Sequence, residues 1–346
     1  MWLGQEIQTV SWSPELSQDL SQDLSEQAGE RPNLHVVAGA LSDDQARVLI
    51  CQRPPGKHMA GCWEFPGGKR DGDESRFEAL VRELREELGL DVEQARPLIR
   101  FRHAYPDRLI DLDVWKVERF TGEPRGLEGQ ALDWVQASEL DGSRLLPADR
   151  PIVTALTLGS LYAVTGPHAD RAEFSRRLLH VIERGAGLIQ LRVPGAGADE
   201  LAALAGIAVG QCHPAGVRLI INGDPDVVCP LALRCGADGI HVPARYRDEL
   251  TALAPDARCG LLGMSCHDAQ EIAHAQQLGA DYVVLGPVRS TASHPGEPGL
   301  GWERFATLIR HAAIPVFAIG GMAPDMLVQA WQQGAQGIAA IRALWD

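Results

Sequence analysis

After Leu158 the chain settles into short apolar runs separated by helical stretches, and this repeat constrains its fold more than any other feature. The runs are Leu161–Thr165, Leu188–Arg192, Arg218–Asn222, Gly239–Val242, Gly260–Met264, Tyr282–Gly286, Pro315–Ile319 and Gly337–Ile341, and their starts recur every 21 to 33 residues. That spacing suits β–α units, in which a strand buried on both faces is followed by a crossover helix. Eight such units in about 185 residues predict a closed parallel (β/α)8 barrel; a doubly wound sheet is the competing arrangement.

The first half carries a different signature. Gly68, then Glu74, then Arg82-Glu83-Leu84-Arg85-Glu86-Glu87-Leu88-Gly89-Leu90 stand at fixed spacing. Ser75 with Glu78 makes a capping box and Gly89 a C-terminal stop, which predicts a helix from about Ser75 to Leu88. At 100° per residue Phe77, Leu80, Val81, Leu84 and Leu88 face a core, while Glu83, Glu86 and Glu87 share the adjoining side. Like charges at that spacing oppose an isolated helix by roughly 0.2–0.5 kcal/mol per pair. A hard divalent cation reverses the effect, because Mg²⁺ takes carboxylate oxygens and substrate phosphates together. A solvated acidic face is the plain alternative, but it leaves the preceding Phe65-Pro66-Gly67-Gly68 turn unexplained, where glycine lets backbone approach a ligand. The expected chemistry is metal-assisted cleavage of a diphosphate linkage, giving a nucleoside monophosphate and pyrophosphate from a triphosphate. A further carboxylate must hold a second metal or deprotonate the water, and Glu128 in Gly126-Leu127-Glu128-Gly129 is the candidate.

From about Asn33 to Leu158 the sequence resembles the MutT branch of the Nudix hydrolases, the 8-oxo-dGTP diphosphatases. The likeness extends beyond the acidic box to Leu34-His35-Val36-Val37-Ala38-Gly39, Arg53, His58-Met59-Ala60, Glu64-Phe65-Pro66-Gly67-Gly68-Lys69, Pro106-Asp107-Arg108 and Gly122-Glu123-Pro124. The resemblance implies an α/β/α sandwich and a Mg²⁺ cofactor, with Mn²⁺ as an alternative. It assigns Gly67 (carbonyl), Glu83, Glu86, Glu87 and Glu128 to the metal. It places Arg53, His58, Glu64, Phe65, Pro66 and Gly67 at the nucleotide substrate, with Phe65 lining the purine pocket. The family's purine-reading Asn corresponds here to Asp149, in Leu146-Pro147-Ala148-Asp149-Arg150. An ionised Asp only accepts hydrogen bonds, so it matches the N7–H of 8-oxoguanine but faces O6 poorly unless protonated.

The second half, from about Leu161 to Leu344, resembles the thiamine-phosphate synthase/TenI family. Gln190-Leu191-Arg192, Ala237-Asp238-Gly239-Ile240-His241, Gly263-Met264-Ser265-Cys266-His267, Asp281 to Val288 and Ala318-Ile319-Gly320-Gly321-Met322 carry the likeness. The synthase pattern breaks at its charged positions: Pro194 replaces a lysine, Gly223 an acid, Val242 to Tyr246 hold no acid, and His294 replaces another lysine. Losing those ligands removes the charge stabilisation that group transfer needs. Two readings stay open. A TenI-like thiazole tautomerase would use His267 as acid/base at a barrel strand end. A binding or supporting barrel would hold a phosphorylated, thiamine-related ligand at Gly320 and Gly321, and can modulate the hydrolase.

With 346 residues there is room for two domains, expected at 33–158 and 159–346 after an acidic extension at 1–32 without chemistry of its own. A net charge of −14 argues against polymeric nucleic acid as partner. No apolar run reaches membrane-spanning length, no leader is visible, and the seven cysteines lack a CxxC pair, which together predict a cytoplasmic protein with reduced thiols.

Overall fold

The computed structural model describes residues 32–140, 144–252, 259–291 and 298–346. The extension expected at 1–32 therefore lies outside the described residues, save its last one.

In the first half, strands β1 (Asn33–Leu41), β2 (Arg47–Gln52), β3 (Trp63–Glu64) and β4 (Gly67–Lys69) precede helix α1 (Arg76–Leu88). Then come β5 (Asp91–Ala104), β6 (Leu109–Thr121), β7 (Leu132–Gln136) and α2 (Arg150–Leu158). One sheet has the order β4-β1-β6-β5, with β1 and β6 parallel, and a second has the order β3-β2-β7. Alternation along β1 sends Val37 and Leu41 to a core shared with Leu80, Leu84 and Leu88 of α1, while Ala38 and Ala40 face a second core holding Ile152 and Ala155 of α2. The result is the α/β/α sandwich.

Helix α1 forms as its sequence dictates. Ser75 caps it, Ser75 and Glu78 close the capping box, and Gly89 ends it at φ 70°. The core face is narrower than expected: Val81 is only partly buried, and Phe77 is 38% exposed, with its ring leaning on Trp115 at 5.6 Å. Phe77 sits in the first turn, at the margin of the sheet, and the small Ala79 fills the buried position instead.

The second half is a closed barrel of eight parallel strands. These are β8 (Leu161–Val164), β9 (Leu188–Leu191), β10 (Arg218–Asn222), β11 (Gly239–Val242), β12 (Leu261–Cys266), β13 (Tyr282–Leu285), β14 (Val316–Ile319) and β15 (Gly337–Ala340). The strand predicted at Gly260–Met264 runs later, because Gly260 takes φ 69° to turn the chain in and Ser265 and Cys266 extend the ladder to β13. Helices α3 (Arg171–Glu183), α4 (Ala198–Cys212), α5 (Pro225–Cys235), α6 (Arg247–Ala252), α7 (Ala269–Gln277), α8 (Gly301–Leu308), α9 (Leu327–Gln332) and α10 (Arg342–Trp345) follow the strands.

The halves are packed together. Leu158, the last residue of α2, joins Tyr162, Leu188, Ile220, Tyr282 and Phe317 in the barrel interior. Gln336, only 2% exposed, donates to the carbonyls of Ala155 (2.8 Å) and Gly159 (2.9 Å). Arg96 of β5 lies over the Trp331 ring of α9 at 4.3 Å. No helix among the described residues is long and apolar enough to cross a membrane.

Candidate active site

The turn before α1 brings backbone against carboxylate. Gly67 adopts φ 149°, and a Cβ there would stand 2.1 Å from the Val37 carbonyl oxygen, so only glycine fits. A Cβ on Gly68 would stand 2.4 Å from Glu83 Oε2, which means the Glu83 carboxyl lies directly on the glycine backbone. The Gly67 N–H donates to Glu87 Oε2 at 3.1 Å. Burial pushes the Glu87 carboxyl up to about 7, and the charges of Glu128, Glu64 and Glu83 add to the shift against the Gly67 hydrogen bond. Burial also raises Glu83, against the neighbouring Arg82.

Two cations that the sequence reading left without a role organise the remaining acids. Arg82 Nη1 donates to Glu83 (2.9 Å) and Glu86 (3.1 Å), and its Nη2 donates to Glu74 (2.7 Å) and the Lys69 carbonyl (2.9 Å). Lys57 Nζ meets Glu128 Oε2 at 2.6 Å. Expected as one ring of ligands, the carboxylates are instead shared out: among the described residues no three His, Cys, Asp or Glu side chains form a metal-holding group. Glu83 and Glu86 share Arg82 and Glu128 takes Lys57, while Glu87 keeps the Gly67 N–H, and Glu86 stays 59% exposed. The donor set nevertheless suits a hard divalent ion, since carboxylate and carbonyl oxygens surround the same turn and Glu83, Glu87, Glu64 and Glu128 act on one another's charge.

Beside this cluster, ring side chains gather around Tyr105. Arg53 Nε donates to the His58 carbonyl at 2.7 Å, and its Nη1 pairs with Glu64. His58 and His103 both stand edge-on to Tyr105, at 6.1 and 4.6 Å. Phe65 is buried within the core, and its backbone N–H donates to Asp149 Oδ2 at 3.0 Å. Asp149 is itself buried, and burial pushes its carboxyl up to about 8, with Glu64 adding and the Phe65 N–H and Arg53 opposing. At neutral pH Asp149 holds a proton and offers a donor as well as an acceptor.

A second concavity opens at the C-terminal ends of the barrel strands, with a volume of about 790 Å³. Its floor is a buried polar network. Gln190 Nε2 donates to the Tyr162 hydroxyl (2.8 Å), that hydroxyl meets Tyr282 (2.9 Å), and His241 Nε2 meets Ser265 Oγ (2.9 Å). Burial holds His241 down to about 3, so it is neutral. His267, Gly320 and Gly321 border the same space. His267 Nδ1 lies 3.0 Å from Glu271 Oε2, and Arg247 Nη2 donates to that carboxylate's other oxygen at 2.6 Å.

Comparison with known proteins follows the same division. A family model described as NUDIX domain matches residues 37–155, and one described as thiamine monophosphate synthase matches residues 161–344. Over 123 residues the chain is 36% identical to an 8-oxo-dGTP diphosphatase of Escherichia coli (strain K12), covering 36% of this chain and 95% of that one. It is 40% identical over 119 residues to a CTP pyrophosphohydrolase of the same strain, covering 34% and 88%. Over 193 residues it is 36% identical to a thiamine-phosphate synthase of Azorhizobium caulinodans, covering 54% and 86%.

Proposed function

Because the chain belongs to the Nudix family through its first half and to the thiamine monophosphate synthase family through its second, we propose that residues 33–158 are a Mg²⁺-dependent hydrolase of oxidised purine nucleoside triphosphates, 8-oxo-dGTP above all, joined to a barrel unit at 159–346. The products are the nucleoside monophosphate and pyrophosphate. The observation that carries this reading is the seating of Glu83 and Glu87 on the Gly67-Gly68 turn.

Glu83, Glu86, Glu87, Glu128 and the Gly67 carbonyl would hold the ion. Bound there, it supplies neutralisation of the diphosphate charge and a more acidic water. Glu128, tethered by Lys57 and within electrostatic reach of Glu87, is the acid assigned to take the water's proton. Arg53, already oriented by Glu64 and the His58 carbonyl, faces the substrate with a rigid fork.

Selectivity for the oxidised base rests on Asp149. A neutral carboxyl accepts from N7–H, which guanine lacks, and donates to O6, doing the work of an amide. A pyrimidine triphosphate is the rival substrate, since one relative carries the name CTP pyrophosphohydrolase. Initial rates of pyrophosphate release from 8-oxo-dGTP, dGTP and CTP decide the matter. The reading expects 8-oxo-dGTP to lead; equal rates on dGTP, or faster cleavage of CTP, reject it.

A second reading concerns the barrel. The Glu271 carboxylate fixes His267 through Nδ1 and leaves Nε2 for proton transfer in the cavity, the arrangement a thiazole tautomerase would need. Isomerisation of a thiazole phosphate should disappear in His267→Ala; the parental rate in that variant removes the idea.

A further inference from the structure

Four arginines, Arg192, Arg245, Arg289 and Arg342, border the barrel cavity, and among the described residues none of those lining it is aspartate or glutamate. They come from the ends of four different strands, β9, β11, β13 and β15, so the closed barrel is what brings them to one mouth. All four are exposed. Among the described residues none has a carboxylate partner: Arg245 lies on the Tyr246 ring at 4.7 Å, and Arg289 meets only the Met326 sulfur at 3.8 Å. In a chain of net charge −14, that concentration of unneutralised guanidinium is selective placement rather than average composition.

The family's synthases imply Mg²⁺ in this barrel, and the donor set here does not fit one. A hard divalent ion takes oxygen ligands, chiefly carboxylates, and the described lining provides no carboxylate. At the positions where the sequence lacks the expected acids stand Gly223 and the segment containing Arg245. The structure assigns to this cavity the binding of phosphate groups without any divalent cation, with fixed guanidinium charge in place of the metal. Guanidinium forks bind phosphate oxygens in pairs and keep their charge at every physiological pH. A mouth lined by one sign of charge over low-dielectric walls also concentrates anions at its entrance. Below the rim, Val164, Val284, Ile319 and Ala339 make an apolar wall above the neutral His241, suited to an uncharged organic body. The volume lies within the range of roughly 300–1,000 Å³ typical of small-molecule pockets. The inference does not depend on what the first half hydrolyses.

Calorimetric titration of the full chain tests it, with inorganic pyrophosphate as probe in excess EDTA and, separately, in Mg²⁺. To keep the first half from contributing, both titrations are repeated on Glu87→Gln. Saturable binding in EDTA is expected, weaker with inorganic phosphate than with pyrophosphate and weaker at high salt. The Arg192→Gln/Arg245→Gln pair should lower the affinity at least about tenfold while its melting temperature and its pyrophosphate release from 8-oxo-dGTP stay parental. If that pair folds poorly, Arg342→Gln alone is read by the same titration. Binding that requires Mg²⁺, affinity unchanged in the folded arginine variants, or no heat at millimolar pyrophosphate overturns the inference.

Discussion

Asp149 offers a sharp prediction because its chemistry depends on a proton that burial keeps in place. With the carboxyl at about 8 in the folded chain, against 3.8 for an ordinary aspartate, ionising it in place is opposed by on the order of 5 kcal/mol. Between pH 4 and 8 the folded protein binds a proton that the unfolded chain has released. Folding therefore becomes less favourable as pH rises through that window, by about 1.4 kcal/mol per unit. The consequence for recognition is steeper. Above pH 8 the neutral form, the only one that donates to O6, declines about tenfold per unit. The perturbation is Asp149→Asn, which keeps a donor and an acceptor but cannot titrate. The assay is kcat/KM for 8-oxo-dGTP from pH 6 to 9.5 in both proteins. Dividing one profile by the other cancels the groups they share, including Glu87 at about 7. The parent-to-variant ratio should be level up to about pH 7.5 and then fall close to tenfold by pH 9. A ratio that stays level to pH 9.5 refutes the claim that Asp149 works as a neutral acid.

Two further outcomes follow from the packing. Gly67→Ala forces a Cβ to within 2.1 Å of the Val37 carbonyl oxygen at φ 149°, so β4 must shift; a loss of about 3 kcal/mol or more is expected in denaturant unfolding, together with loss of hydrolysis. Gln336→Leu leaves the Ala155 and Gly159 carbonyls without their donor at the junction of the halves, a loss of about 2–3 kcal/mol; it should split or broaden the thermal transition seen by calorimetry while pyrophosphate release at low temperature is kept.

Much of this molecule can be read from residue order, for identifiable reasons. The barrel announces itself because each strand is a short apolar run closed by turn residues, and the α1 boundaries follow from local caps at Ser75 and Gly89. Phe77 misled because helical periodicity says which side a residue faces, not where the sheet beneath it ends. The glutamates of the first site were legible by their spacing, yet their partners were not. Lys57 and Glu128 are 71 residues apart, and Arg82 contacts Lys69 and Glu74 only because the chain folds back on α1. The neutral state of Asp149 was beyond the sequence for a similar reason, since it depends on burial under Phe65, 84 residues away. In the barrel the missing acids were visible at Gly223 and after His241, whereas the convergence of four arginines from separate strands required the closed ring.

On the proposed reading, Glu83 and Glu87, seated on the Gly67-Gly68 turn, serve a cation in splitting a phosphoanhydride. Its most direct test is the rate of pyrophosphate release from 8-oxo-dGTP in Mg²⁺ for the parent and for Glu83→Gln and Glu87→Gln, each checked for an unchanged melting temperature. A fall of at least ~10²-fold is expected in each folded variant, the scale of other strong electrostatic contributions to a transition state. Parental rates in both would contradict it.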